Sequence, residues 1–274
     1  MVEMTVSAAL NSKSMLCESI TDLVRRIHPS EPLHLLYPDK IIAKAKEFRR
    51  LFDGGTVMYA VKCNPDKAVI KALVRGGIRT FDAASIEEVR LVRKYAPRAT
   101  IHFMHTVKSR EAIREAYFKH GVRVFVLDTL DELHKIIGET DLASDLSLFI
   151  RLALPKNKGA AVDFSVKFGA NPKESVVLLR EARLVAAHLG LMFHAGSQSS
   201  DPAAFVRGVT VAAAVIREAG VVVEHLDVGG GFPVPYPTRA VPPLAVYMDA
   251  IKAAIAAEGL GLLKLFCEPG RALV

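Results

Sequence analysis

Short apolar runs alternate with stretches of helical period along most of this chain. Strands are predicted at 33–37, 56–61, 78–82, 100–104, 123–127, 147–152, 191–194, 224–228 and 263–267. Helical patterns fill the intervals at 39–52, 66–75, 86–95, 109–120, 130–137, 172–187, 202–219 and 244–257. Several open on a capping residue or a proline: Asp39, Ser85, Ser109, Asn171-Pro172 and Asp201-Pro202. Gly76, Gly121 and Gly220 fall where helices should stop.

Alternation of this kind implies parallel strands joined by right-handed crossovers. After the leading run there are about eight strands, the number that closes a (β/α)8 TIM barrel. An open doubly wound sheet is the alternative, usually with fewer units. The prolines from Pro233 to Pro243 follow a predicted strand and read as a βα loop. Residues 1–32 lie outside the alternation; 13–28 carry a helical pattern that either packs on the barrel or belongs to another domain. The chain stops at Val274, directly after the last predicted strand, with no closing helix in view.

Composition narrows the class. With 274 residues, 51% hydrophobic and 24% charged, the chain is too apolar to be disordered and long enough for a large core. No apolar run approaches the ~20 residues of a membrane span. Residues 1–17 lack the continuous apolar segment of a secretory signal. Three cysteines, Cys17, Cys63 and Cys267, make neither a disulfide framework nor a C-x-x-C pair, so we expect a soluble cytoplasmic protein with no metal site. The +7 charge is scattered and Trp is absent, which speaks against nucleic acid and leaves a phosphate or carboxylate ligand open.

A barrel places its chemistry at the C-terminal ends of its strands. Lys62, Asp82, His105, Arg151, His194, Gly229-Gly230-Gly231 and Glu268-Pro269-Gly270-Arg271 all fall there. A partly buried lysine loses pKa, and its neutral amine attacks carbonyls, so Lys62 is read as a Schiff-base former; a rim lysine reaching solvent is the plainer alternative. The glycine run and the Gly196-Ser197 turn suit a phosphate, with Arg271 adding a forked cation. Glu268 could pair with a pyridine nitrogen or form a salt bridge with Arg271. His194 could stack on a planar cofactor, or be a satisfied core histidine. Asp82 and Glu88 could orient an imine or amine, although Glu88 alone reads as a solvated helix charge. Cys63 should point away from Lys62 by strand alternation, and both it and Cys267 are assigned to packing. His102, His120, His134 and His225 show no ligand spacing.

Tyr-Ala-Val-Lys-Cys-Asn (59–64), Phe-Asp-Ala-Ala-Ser (81–85), Ser-Val-Lys-Phe-Gly (165–169), Phe-His-Ala-Gly-Ser (193–197), Asp-Val-Gly-Gly-Gly-Phe-Pro (227–233) and Glu-Pro-Gly-Arg (268–271) together resemble the eukaryotic-type ornithine decarboxylases. These are pyridoxal-phosphate lyases built on an alanine-racemase-like barrel. The resemblance covers about 33–274. Gln198 departs from it and looks more like the arginine and diaminopimelate branches. The resemblance implies that Lys62 forms the Schiff base, His194 stacks on the ring and Glu268 pairs with its nitrogen. Ser197, Gly230, Gly231, Gly270 and Arg271 would hold the phosphate. Asp82, Glu88 and Arg151 would surround the reacting carbon, and Lys167 would lie near a dimer interface. It further implies decarboxylation of a basic amino acid, first ornithine to putrescine in polyamine biosynthesis, with lysine, arginine or diaminopimelate as alternatives. A non-catalytic homologue and a racemase on the same barrel are the other classes, and retention of Lys62, His194, Glu268 and Arg271 argues against the first. The expected form of the full-length protein is a homodimer. Residues 1–32 would be the first piece of a second, β-rich domain, 33–274 the cofactor barrel, and the chain is expected to be a truncated form missing the rest of that domain and inactive alone.

Overall fold

The computed structural model describes residues 2–8, 11–17, 19–156, 159–162, 167–237 and 240–274. The barrel strands are β4 (Thr56–Ala60), β5 (Thr80–Ala83), β6 (Thr100–Phe103), β7 (Val124–Leu127), β8 (Ser147–Leu152), β9 (His188–Phe193), β10 (His225–Asp227) and β11 (Lys264–Cys267). Each pairs in parallel with the next, and β11 returns to β4 through Phe266↔Thr56 and Cys267↔Val57, closing the barrel. The predicted (β/α)8 architecture is therefore present.

Two layers of packing follow from alternation along each strand. On β4, Val57 and Tyr59 pack outward into the core shared with the helices, while Met58 belongs to the interior with Met104, Phe149, Met192 and Phe266. On β8, Leu148, Ile150 and Leu152 pack outward and Phe149 inward. Seven helices, α3 (Lys67–Arg75), α4 (Ile86–Tyr95), α5 (Arg110–Phe118), α6 (Leu130–Glu139), α7 (Pro172–Arg183), α8 (Ala203–Ala219) and α9 (Leu244–Ala257), connect successive strands. Ser85, Ser109 and Asn171 cap as their sequence suggested, Asn171 in a reciprocal box with Glu174. Gly220 closes α8 in the left-handed conformation.

The missing closing helix is supplied from the other end. Helix α2 (Pro38–Leu51) precedes the first barrel strand and packs against both α3 and α9. Phe48 of α2 meets Phe232 edge-on at 5.5 Å, sealing the outside of the loop after β10. Tyr37, not Asp39, occupies its N-cap, because Pro38 starts the first turn and leaves Asp39 inside it.

The N-terminal reading needs a correction. The stretch 13–28 is not one helix: β2 (Asn11–Cys17) pairs antiparallel with β1 (Val2–Ala8), and only α1 (Ile20–Ile27) is helical. The leading run at 33–37 yields β3 (His34–Leu36), which pairs with β1 and not with the barrel. Hairpin pairing with β1 claimed the first part of 13–28, and β3 joins the same strand from farther along the chain. Among the described residues, no helix is long and apolar enough to cross a membrane.

Candidate active site

The same alternation that fills the barrel delivers its polar groups. Counting by twos from the interior residues leads from Met58 to Ala60, from Phe149 to Arg151, from Met192 to His194 and from Phe266 to Glu268, and Lys62 follows in the 3-10 turn that ends β4. Asp82 and Asp227 are likewise the inward residues of β5 and β10, flanked by outward Phe81 and Ala83 and by Leu226 and Val228. Six reactive side chains from six strands thus share one end of the barrel.

At the centre, Lys62 Nζ donates to Asp82 Oδ2 at 3.0 Å, with Asp82 fully buried and about half of the lysine side chain (53%) exposed. The expected depression of the lysine pKa does not occur. Burial pulls it down, but Asp82 and then Glu268 outweigh that, and the net shift is upward. Burial likewise opposes the charge of Arg151, against the pull of Glu268, Asp128 and Asp82. The Arg151 guanidinium lies over Phe168 at 5.0 Å.

Glu268 is 4% exposed, and its Oε1 has no hydrogen-bond partner among the described residues. Burial, then Asp227 and Asp82, raise its pKa well above the usual carboxylate range. Asp227 is wholly buried, accepts the Gly229 N–H on Oδ1 at 2.8 Å, and is pushed up to about 7, chiefly by burial. The sequence reading quoted Asp227 only as part of a motif; its inward parity was the available signal. His194 accepts the Gly196 N–H on Nδ1 at 3.0 Å, which leaves the ring proton on Nε2. Burial, then Arg151 and Lys62, hold the imidazole neutral.

Three loops form the other end of the site. Arg271 donates to Ser197 Oγ at 3.1 Å and to Tyr236 Oη at 3.0 Å, and so turns away from the salt bridge with Glu268 weighed above. Tyr236, exposed and 35 residues upstream, had no sequence signal. The glycines are set by crowding. A Cβ on Gly231 (φ +97°) would fall 2.1 Å from the Gly196 carbonyl oxygen, and one on Gly230 2.5 Å from the Glu268 carbonyl oxygen. A cavity of ≈190 Å³ is lined by Lys62, His194, Ser197, Gly231, Glu268, Gly270 and Arg271, together with Cys63 and Phe232.

Cys63 overturns its expectation. The chain forms a 3-10 turn at Val61–Cys63, which breaks strand alternation and leaves Cys63 exposed on the same cavity as Lys62. Burial raises its pKa, with Arg271 and Lys62 opposing. Cys267 is buried in the outer core as expected. Glu88 is no freely solvated helix charge either: its half-buried carboxylate accepts the Ala84 N–H at 2.8 Å, and burial raises its pKa. His105 and Lys167 lie outside the cavity; His105 meets Phe168 edge-on at 5.6 Å, and Lys167 is exposed. Ser165 and Val166 of the 165–169 motif lie outside the described residues. A larger, more open hollow of ≈760 Å³ beside Lys108 and Glu132 gathers none of these groups, and Lys108 there is satisfied by Glu132 at 2.8 Å.

Residues 38–274 match the family model of the pyridoxal-dependent decarboxylases, pyridoxal binding domain. The lysine/ornithine decarboxylase of Selenomonas ruminantium is 32% identical over 243 residues, spanning 87% of this chain and 60% of that protein. The ornithine decarboxylase of Mus musculus is 36% identical over 183 residues, spanning 65% of this chain and 38% of that protein. Among solved structures, a mutant of SrLDC in complex with PLP superposes with a TM-score of 0.83 at 30% identity, covering 94% of this chain and 67% of that one. The chain thus spans 60% or less of those two curated relatives. A closed parallel barrel with a lysine, a buried carboxyl and a glycine-lined cavity at its C-terminal end, matched over 38–274, belongs to the pyridoxal-dependent decarboxylases as their pyridoxal binding domain.

Proposed function

We propose that this barrel holds pyridoxal phosphate on Lys62 and serves the decarboxylation of a basic amino acid, with ornithine to putrescine as the first assignment. The observation that carries the reading is the buried Glu268 Oε1, which has no hydrogen-bond partner among the described residues, on a residue lining the same cavity as Lys62. A buried carboxyl oxygen without a partner is costly, and the ring nitrogen of a pyridine is the group that would satisfy it. The opposite end of the cavity supports the fit: a hydroxyl, a guanidinium and glycine backbone suit a phosphate. When bound, pyridoxal phosphate supplies the electron sink that lets an α-carboxylate leave as carbon dioxide.

The chain's own residues divide the remaining work. Lys62 would bond the cofactor aldehyde through Nζ, and Asp82 holds that amine in place and takes part of its charge. His194 would lie against the ring, its tautomer fixed by Gly196. Glu268 would hold a proton towards the ring nitrogen, backed by Asp227. Ser197, Gly230, Gly231, Gly270 and Arg271 would bind the phosphate. Arg151 and Glu88 would border the reacting end on the side of Asp82. Ornithine is favoured because both curated relatives are named as ornithine decarboxylases; lysine shares the support of the first. A homodimer with Lys167 near its interface, a β-rich domain to which residues 1–32 belong, and a cytoplasmic place in polyamine biosynthesis complete the proposal.

The test is to add pyridoxal phosphate to the purified chain, reduce with borohydride and map the modified peptide, then assay carbon dioxide release from ornithine, lysine, arginine and diaminopimelate. Label on Lys62 is expected, while this chain alone should release little carbon dioxide, with ornithine the best of the four substrates. Label spread over surface lysines would reject the site.

A further inference from the structure

Gln198 stands between two loops of the site. It is 3% exposed and adopts φ +54°, a left-handed conformation that a residue with a side chain rarely takes. Its side chain makes two hydrogen bonds to the backbone of one residue in the loop after β10. Nε2 donates to the Val234 carbonyl at 2.5 Å, and the Val234 N–H donates to Oε1 at 3.1 Å. On either side the same two loops meet again. Ser199 N–H donates to the Gly231 carbonyl at 2.9 Å, and Gly231 is pressed against the Gly196 carbonyl so closely that no Cβ would fit. The residue before Gln198 is Ser197, whose hydroxyl receives Arg271; two residues beyond Val234 is Tyr236, which receives the same guanidinium.

We infer that Gln198 is a positioning residue for anion binding: its two-point hold on Val234 sets the spacing between the Ser197 hydroxyl and the Gly230-Gly231 backbone. This rests on the phosphate assignment proposed above. The physical reason is that a left-handed residue leaves the chain after Ser197 at a fixed angle, while the amide side chain supplies the link to Val234 of the neighbouring loop. Glycine would adopt the same backbone conformation more easily and lose the link. Glutamate would keep the acceptor for Val234 N–H and set a second oxygen against the Val234 carbonyl. Conformation and clamp can therefore be separated by substitution. The departure of Gln198 from the ornithine-type motif is thereby given a structural task, independent of which amino acid is the substrate.

Two readouts test it on the 274-residue chain. Amide hydrogen exchange at Val234 in cofactor-free protein reports the clamp, and absorbance titration with pyridoxal phosphate against pyridoxal reports its consequence. Gln198→Gly should lose protection at Val234, and both it and Gln198→Glu, whose second oxygen faces the Val234 carbonyl, should weaken pyridoxal phosphate about tenfold, while pyridoxal, which has no phosphate, changes less than about twofold. An equal fall for both ligands, or undiminished phosphate preference after protection is lost, would overturn the positioning role. A parent chain that labels Lys62 yet binds pyridoxal as tightly as pyridoxal phosphate would overturn it too, while leaving the cofactor reading intact. A parent chain that labels no specific lysine would reject that reading itself.

Discussion

Lys62 and Asp82 meet at 3.0 Å across the ends of adjacent strands, and the carboxylate keeps the amine charged. Attack on an aldehyde needs the neutral amine, so Asp82 restrains the lysine when the site is empty. Asp82→Asn should lower the Lys62 pKa and move the pH midpoint of borohydride-trapped labelling down by about one unit. Peptide mapping at a series of pH values checks this. The effect on folding stability should stay within about 1 kcal/mol, since half of the lysine side chain meets solvent.

Asp227 and Glu268 make the cofactor-free barrel sensitive to neutral pH. Both carboxyls are raised, Asp227 to about 7, so each is stable as the neutral acid in the fold. Their contribution is complete below the unfolded values near 4 and is lost as the pH rises towards 7. In urea unfolding the stability of the parent relative to Asp227→Asn should fall from about pH 4 to pH 7, with the loss of order 1.4 kcal/mol per pH unit for one such group. Asp227→Asn keeps an acceptor for Gly229 N–H and should flatten that slope.

The opposite end of the barrel sets the acid limit. His102 is buried between Phe149 and Phe266 and is held down to about 3, mainly by burial; His225, stacked on Phe149 at 5.6 Å, is held to about 4 for the same first reason. A depressed histidine stabilises the fold above the unfolded value near 6.5, and that stability drains as the pH falls towards the folded value. His102→Phe should remove part of the acid slope below pH 6 in the same unfolding series.

Gly231→Ala should damage the site and the fold together. Its Cβ would sit on the Gly196 carbonyl at 2.1 Å with φ at +97°, so the two loops must part. A loss of about 1–3 kcal/mol is expected, with at least a tenfold weaker grip on pyridoxal phosphate. Gly259→Ala is the control: it also has positive φ, at +70°, but open space around it, and should cost stability without touching affinity.

Much of this was legible because two periods are local properties of a sequence. The barrel strands and helices announced themselves by runs of two and of 3.6, and Ser85, Ser109 and Asn171 marked helix starts by the hydrogen bonds they make within a turn. Position at the C-terminal ends of the predicted strands also gathered Lys62, Asp82, Arg151, His194 and Glu268 at one end of the barrel. Tertiary structure alone decided the rest, because each remaining feature depends on partners far along the chain. The stretch 34–36 joined a small sheet through pairing with 5–7, and α2 became the closing helix by packing against α9. Lys62 kept a high pKa because Asp82 and Glu268, 20 and 206 positions away, supply charge that its own neighbours do not reveal. Arg271 chose Ser197 and Tyr236 over Glu268, and Gln198 found Val234, through loop approaches that no periodicity encodes. Pattern fixes which face a residue presents; only barrel closure brings distant loops within hydrogen-bonding reach.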